Sequence, residues 1–181
     1  MAHGLPHRAR SFLVAVLVWA GAASGVVSGC QRENPCRDPT NDGMCYCPVG
    51  ASCQHSCNAA VPNCTLGCTQ KNYACSVACV DDCTALCTGA YTCDATCGQR
   101  CSVSCEWVKQ RCTAHVGPNS HVNCGGVSDC DVRCEGPCDV SCTGGQCRVR
   151  CSDPANCEID CGGGTAPTAC LDGSRVCGRP C

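Results

Sequence analysis

From Cys53 onward the chain alternates. A cysteine, a polar residue, an apolar residue, a polar residue and a second cysteine recur as a unit, Cys-x-Φ-x-Cys. The units begin at Cys53, Cys64, Cys75, Cys83, Cys93, Cys101, Cys130, Cys138, Cys147 and Cys157 and end at Cys57, Cys68, Cys79, Cys87, Cys97, Cys105, Cys134, Cys142, Cys151 and Cys161. The central residue is apolar in nine of these ten, with His55 the exception. A period of two with one apolar face is the signature of a short strand. Linkers rich in turn-forming residues, such as Glu135-Gly136-Pro137 and Ser152-Asp153-Pro154-Ala155-Asn156, separate the units. Cysteines 75, 79, 83 and 87 also satisfy the i, i+4 spacing of a helix stripe. The second block excludes that geometry, because Pro137, Gly144, Gly145 and Pro154 interrupt it. The prediction is an all-β fold over residues 53–169, with little helix beyond the N-terminal leader. Residues 106–129 break the rhythm, although the segment from Cys112 to Val116 looks like a decayed copy.

The strand reading constrains the sulfurs. Two cysteines four apart on a strand lie roughly 13 Å apart, whereas a disulfide needs Cα atoms within about 7 Å. Cysteines of one unit therefore pair with another strand, which predicts disulfide staples between units. Two stackings remain open. Two units per turn would make a narrow two-sheet β-roll, a form of β-solenoid. Sequential hairpins would make a meander. Arg148 and Arg150 beside Glu158 and Asp160 favour the meander, since a roll would set those carboxylates beside Asp139 instead. Residues 170–181 read as a cap, with a hairpin turning at Asp172-Gly173 between Cys170 and Cys177 and with Cys181 pinning the end.

Composition sharpens this picture. The chain has 29 cysteines in 181 residues and a single phenylalanine. Beyond the first 29 residues, the large apolar side chains are too few to offset roughly 1–2 kcal/mol of entropy per ordered residue. Disulfides, each contributing about 2–4 kcal/mol, are expected to replace the oily core. Such bonds persist in an oxidising compartment.

The N-terminus supplies that compartment. His3, His7, Arg8 and Arg10 precede the apolar run Phe12–Ala20, which is too short to span a bilayer as a helix. An ordinary export cleavage near Ala20–Ala22 is one reading. The other is Val27-Ser28-Gly29-Cys30, which resembles the lipobox of bacterial lipoproteins. That resemblance implies removal of residues 1–29 and attachment of lipid, including a palmitate-type acyl chain, at Cys30. Lipid on Cys30 also leaves 28 cysteines, an even number that can pair completely. Residues 30–52 then read as a tether, pinned in part through Cys36, Cys45 and Cys47. Leader and repeats together resemble the cysteine-rich repeat lipoproteins of Gram-negative bacteria, which implies an envelope location. Gln31, where an Asp would resemble an inner-membrane retention signal, favours the outer membrane. Secretion is the alternative.

The remaining chemistry is sparse. Beyond Gly29 the chain carries 11 basic and 15 acidic residues with no basic cluster, so nucleic acid is not an expected partner. Of 28 intervals between successive cysteines, 14 are four residues and none is three. The Cys-x-x-Cys pairs of zinc knuckles and dithiol enzymes are therefore missing. Thiolate metal binding or redox activity stays as the rival class, with His55, His115 and His121 as possible ligands and Cys45-Tyr46-Cys47 as an exchangeable pair. No Ser/His/Asp arrangement and no Gly-x-Ser-x-Gly is present. The outward residues are too mixed for a flat threonine array of the ice-binding kind. Asn63-Cys64-Thr65 is a glycosylation sequon that would matter only in a eukaryote. The expectation is a non-enzymatic protein without catalytic residues or cofactor, held at a membrane by its lipid. Its partner in the envelope or outside the cell is unknown.

Overall fold

A computed structural model describes residues 52–57, 63–68 and 73–181, and the backbone of Met44–Tyr46. The leader, the lipobox with Cys30, and Cys36 and Cys47 lie outside these residues. Fifteen strands occur among them: β1 Met44–Tyr46, β2 Cys53–Ser56, β3 Thr65–Gly67, β4 Ala74–Ala78, β5 Thr84–Leu86, β6 Thr92–Cys97, β7 Ser102–Ser104, β8 Arg111–Val116, β9 Ser120–Asn123, β10 Cys130–Cys134, β11 Cys138–Ser141, β12 Cys147–Cys151, β13 Cys157–Asp160, β14 Thr168–Ala169 and β15 Arg175–Cys177. Odd strands from β1 to β13 form one parallel sheet, sheet A, in sequence order. Even strands from β2 to β12 form the parallel part of sheet B. The chain is a β-solenoid of about six turns, and the Cys-x-Φ-x-Cys units follow one another as pairs, one unit on each sheet.

This settles roll against meander, and the outward charges pointed the wrong way. Asp139 pairs with Glu158 and Ser141 with Asp160, while Arg148 lies beside Asp131 and Arg150 beside Arg133. Exposed ion pairs contribute about 0–1 kcal/mol, too little to choose a topology. Arg150 instead reaches Asp131 at 3.9 Å and Asp172 at 3.6 Å.

Strands such as β6, β8 and β10 bury alternate residues. The interior is built mainly from cysteines and the central residues of the units, Val77, Ala95, Ala114, Val132 and Val149 from sheet B and Leu66, Ala85, Val103, Val122 and Val140 from sheet A, with Ala90, Val108 and Val127 added from the wide arcs. Strand ends joined by a disulfide across a bend lie 6.0–6.5 Å apart at their Cα atoms, within the reach of the bond.

The rhythm does not break at residues 106–129. β8 and β9 form a complete coil, with Cys112 in register between Cys93 and Cys130. The copy is decayed at one bend only. Val116 stands in register with Cys97 and Cys134, and Ser120 stands in register with Cys138.

The two kinds of bend differ. From sheet B to sheet A the chain turns through a narrow arc, with three residues between the cysteines in Cys79–Cys83, Cys97–Cys101 and Cys134–Cys138. The residue before the first position of the sheet A unit takes a left-handed φ in Asn63, Asp82, Arg100 and Asn119. Adjacent narrow arcs are in close contact: a Cβ on Gly98 would lie 1.7 Å from the Val80 carbonyl oxygen. From sheet A back to sheet B the chain makes a wide arc, opened by a turn in which the N–H of Ala90, Val108, Val127 or Gly145 donates to the preceding cysteine carbonyl. The third residue of that turn needs positive φ, as in type II geometry. Gly89, Gly126 and Gly144 supply it, and Trp107 adopts it at 59°.

At the C-terminal end, β15 runs antiparallel to β12 and β14. The turn is closed by Cys170 N–H to Ser174 O and Gly173 N–H to Cys170 O. At the other end Met44–Tyr46, in the segment read as a tether, adds a strand to sheet A beside β3.

Candidate functional site

The chemistry-bearing side chains of this fold are its sulfurs, and the strands set their arrangement. From Cys57 to Cys157 the last cysteine of one unit bonds the first cysteine of the next, except at the arc of Val116 and Ser120. On the arcs from sheet B to sheet A, three of them narrow and the first and last longer, these bonds are Cys57–Cys64, Cys79–Cys83, Cys97–Cys101, Cys134–Cys138 and Cys151–Cys157, and they form the narrow-arc column. On the wide arcs they are Cys68–Cys75, Cys87–Cys93, Cys105–Cys112, Cys124–Cys130 and Cys142–Cys147. Cys161–Cys177 and Cys170–Cys181 fasten the terminal hairpin. Cys53 is disulfide-bonded as well.

No bond joins cysteines of one unit among the described residues. The expected staple between units takes an unforeseen form. Each of the ten bonds from Cys57–Cys64 to Cys151–Cys157 clamps a bend between the two sheets instead of riveting hydrogen-bonded neighbours within one sheet. Stacking along the axis is left to the parallel backbone ladders and the small buried side chains. Sequence reasoning missed two members, Cys112 and Cys124. The signal was present: Ser120-His121-Val122-Asn123-Cys124 is a unit with serine in the first position, starting eight residues after Cys112.

Because the coils are in register, the disulfides form two columns. Sulfurs of successive disulfides touch, with Sγ atoms 3.6 Å apart between Cys75 and Cys87 and between Cys138 and Cys157. Several groups fall within 4.8 Å of one another, including Cys75 with Cys87 and Cys93, and Cys124 with Cys130 and Cys147. One group has four members: Cys134, Cys138, Cys151 and Cys157. The narrow-arc column is interrupted at Val116 and Ser120. Both are buried, and the Ser120 hydroxyl accepts from the Cys101 N–H at 3.1 Å. A hydroxyl and an isopropyl group fill that space without a covalent bond.

The histidines do not converge. His55 points inward at the N-terminal end, with Nε2 3.6 Å from Cys53 Sγ, and burial lowers its pKa. His115 lies on the outer face of sheet B, with Nε2 2.7 Å from Glu135. That hydrogen bond, assisted by Arg133, lowers the Glu135 pKa. His121 lies on sheet A in register with Asp139. Between narrow arcs, Arg100 donates two hydrogen bonds to Asp82, at 2.6 and 2.7 Å, and holds that carboxyl below its usual pKa. Gln99 does the same for Asp81 through its side chain and backbone N–H.

Comparison with known proteins returns no match to a family model, to a curated protein or to a solved structure. The disulfide-rich coil fits a structural module, and its sulfur groups have the composition to hold a metal.

Proposed function

We propose that the chain is a non-enzymatic lipoprotein of a Gram-negative envelope, lipid-anchored at Cys30, whose β-solenoid serves as a rigid structural or interaction module. The observation that carries this reading is the clamp on successive bends. A fold fastened covalently at nearly every bend resists local opening, and the outward positions offer polar side chains to a partner protein. Sheet A ends in a carboxylate patch of Asp139, Glu158 and Asp160, which suits a basic partner. The lipobox resemblance and the even count of remaining cysteines support the anchor. Mass spectrometry of the mature N-terminus tests it: the expected species begins at Cys30 and carries a diacylglyceryl group. Cleavage near Ala22 with an unmodified Cys30 would remove the lipoprotein reading and leave a secreted module.

A second reading, a thiolate metal or redox protein, is favoured by the sulfur groups within 4.8 Å. A count of free thiols in the denatured, unreduced protein separates the two. Few free thiols supports the module, and many free thiols with bound zinc supports the second reading.

A further inference from the structure

The narrow-arc column contains an island. Toward the N-terminus, Val116 and Ser120 separate Cys134–Cys138 from the preceding disulfide at Cys97–Cys101. Toward the C-terminus, sheet A ends at β13, so Cys151–Cys157 is the last disulfide of that column. Two disulfides, and therefore four sulfurs, stand apart from the rest, and these are the four that lie within 4.8 Å of one another. A tetrathiolate zinc site needs zinc–sulfur distances near 2.3 Å, hence sulfurs roughly 3.8 Å apart. Small movements of the four side chains reach that arrangement. The wide-arc column has no comparable interruption among the described residues.

We propose that Cys134, Cys138, Cys151 and Cys157 form a redox-gated site: closed as two disulfides when oxidised, and a tetrathiolate site for a soft d10 cation such as zinc when reduced. Access supports an ordered opening. Cys151 is partly exposed, whereas Cys134, Cys138 and Cys157 are buried. The reductant is a small dithiol. Its thiolate attacks Cys151 Sγ, the Cys151–Cys157 bond breaks, and Cys157 leaves as a thiolate. The second thiol of the reductant then displaces Cys151 and the reductant departs as its own disulfide. Cys157 Sγ lies 3.6 Å from Cys138 Sγ. Its thiolate can therefore attack Cys138, break Cys134–Cys138 and release Cys134 as a thiolate. A second dithiol opens the resulting Cys138–Cys157 bond in the same way. In total two dithiols become two disulfides, four electrons and four protons enter the protein, and four thiols result. Binding of one divalent cation then releases four protons. The parallel ladders β10–β12 and β11–β13 and the wide-arc clamps keep the four Cα atoms near their places meanwhile.

The test uses the intact oxidised protein, reduced anaerobically with dithiothreitol until peptide maps show Cys134–Cys138 and Cys151–Cys157 open, then desalted and titrated with zinc. The expected result is one zinc per chain, four protons released, and protection of these four cysteines from alkylation in peptide maps. Cobalt in place of zinc should show the visible bands of a tetrahedral thiolate complex. Replacing Cys134→Ser with Cys138→Ser should weaken zinc binding by more than the roughly 10–100-fold that loss of a supporting outer partner costs. Replacing Cys87→Ser with Cys93→Ser, at a wide arc three coils away, should leave it unchanged. No zinc binding, equal loss in both variants, or protection spread over other cysteines would overturn the proposal. Should either variant fail to fold, the alkylation map of the unaltered chain decides alone.

Discussion

Removing the clamp at Cys97–Cys101 tests how the solenoid holds itself together. In a Cys97→Ala, Cys101→Ala variant, the lost bond closes a sequence separation of four. The chain-entropy relation assigns about 2 kcal/mol to a loop of roughly five residues. Both sulfurs are buried, at 5% and 3% exposure, and losing two small buried groups adds about 1 kcal/mol. The next narrow arc, at Val116 and Ser120, has no disulfide, so the variant carries two unclamped arcs in a row. The exposed Arg100–Asp82 pair contributes too little to replace a covalent bond. The expected cost is about 3 kcal/mol in urea unfolding, with the molecule still folded. Because each coil contacts only its neighbours, opening should be local, and trypsin should cut at Arg100 before any other site. For calibration, Cys161–Cys177 closes a separation of 16, and its loss should cost about 3 kcal/mol from chain entropy alone. A loss below about 0.5 kcal/mol at Cys97–Cys101, with Arg100 cut no faster than in the parent, would refute the reasoning.

Three further outcomes follow from the same geometry. Val116→Cys with Ser120→Cys should form the missing clamp, seen as a cross-linked peptide. Its net gain in unfolding free energy should stay below about 2 kcal/mol, because the buried isopropyl group and the Ser120 hydrogen bond are lost. Gly98→Ala should lower the thermal midpoint steeply, since its Cβ would meet the Val80 carbonyl and two backbone arcs must separate. Acid should act in two stages, followed by hydrogen exchange along the chain. The pKa of His55 is lowered in the folded state, so the unfolded chain binds more protons as pH falls below about 6.5, and the first coil loosens there. Asp81, Asp82, Glu135 and Asp172 are also lowered. Their contribution is present above about pH 4 and is lost as pH falls through their folded values.

Much of the fold was legible because cysteine and a central apolar residue mark the same face of each Cys-x-Φ-x-Cys unit but the first, where His55 is central. The reach of a strand against the reach of a disulfide excluded bonds within a unit without reference to topology. Strand order was not legible. The charges at Arg148, Arg150, Glu158 and Asp160 carry too little energy to direct it. The close contacts that do, such as Gly98 against Val80, appear only once arcs are stacked. The coil at Cys112–Cys124 was half hidden because Val116 and Ser120 occupy cysteine positions. In three dimensions that same substitution isolates Cys134, Cys138, Cys151 and Cys157. Spacing along the chain favours disulfides and disfavours zinc at these residues. Their candidacy as ligands arises from register between coils, which no linear motif encodes.

The most direct test is a disulfide map of the unreduced protein by proteolysis and mass spectrometry. The account predicts cross-links from the last cysteine of each unit to the first of the next, such as Cys79–Cys83, Cys105–Cys112 and Cys142–Cys147, with Val116 and Ser120 between two linked arcs. A folded protein whose cysteines are mostly reduced, or bonded between stacked strands such as Cys75 and Cys93, would contradict it.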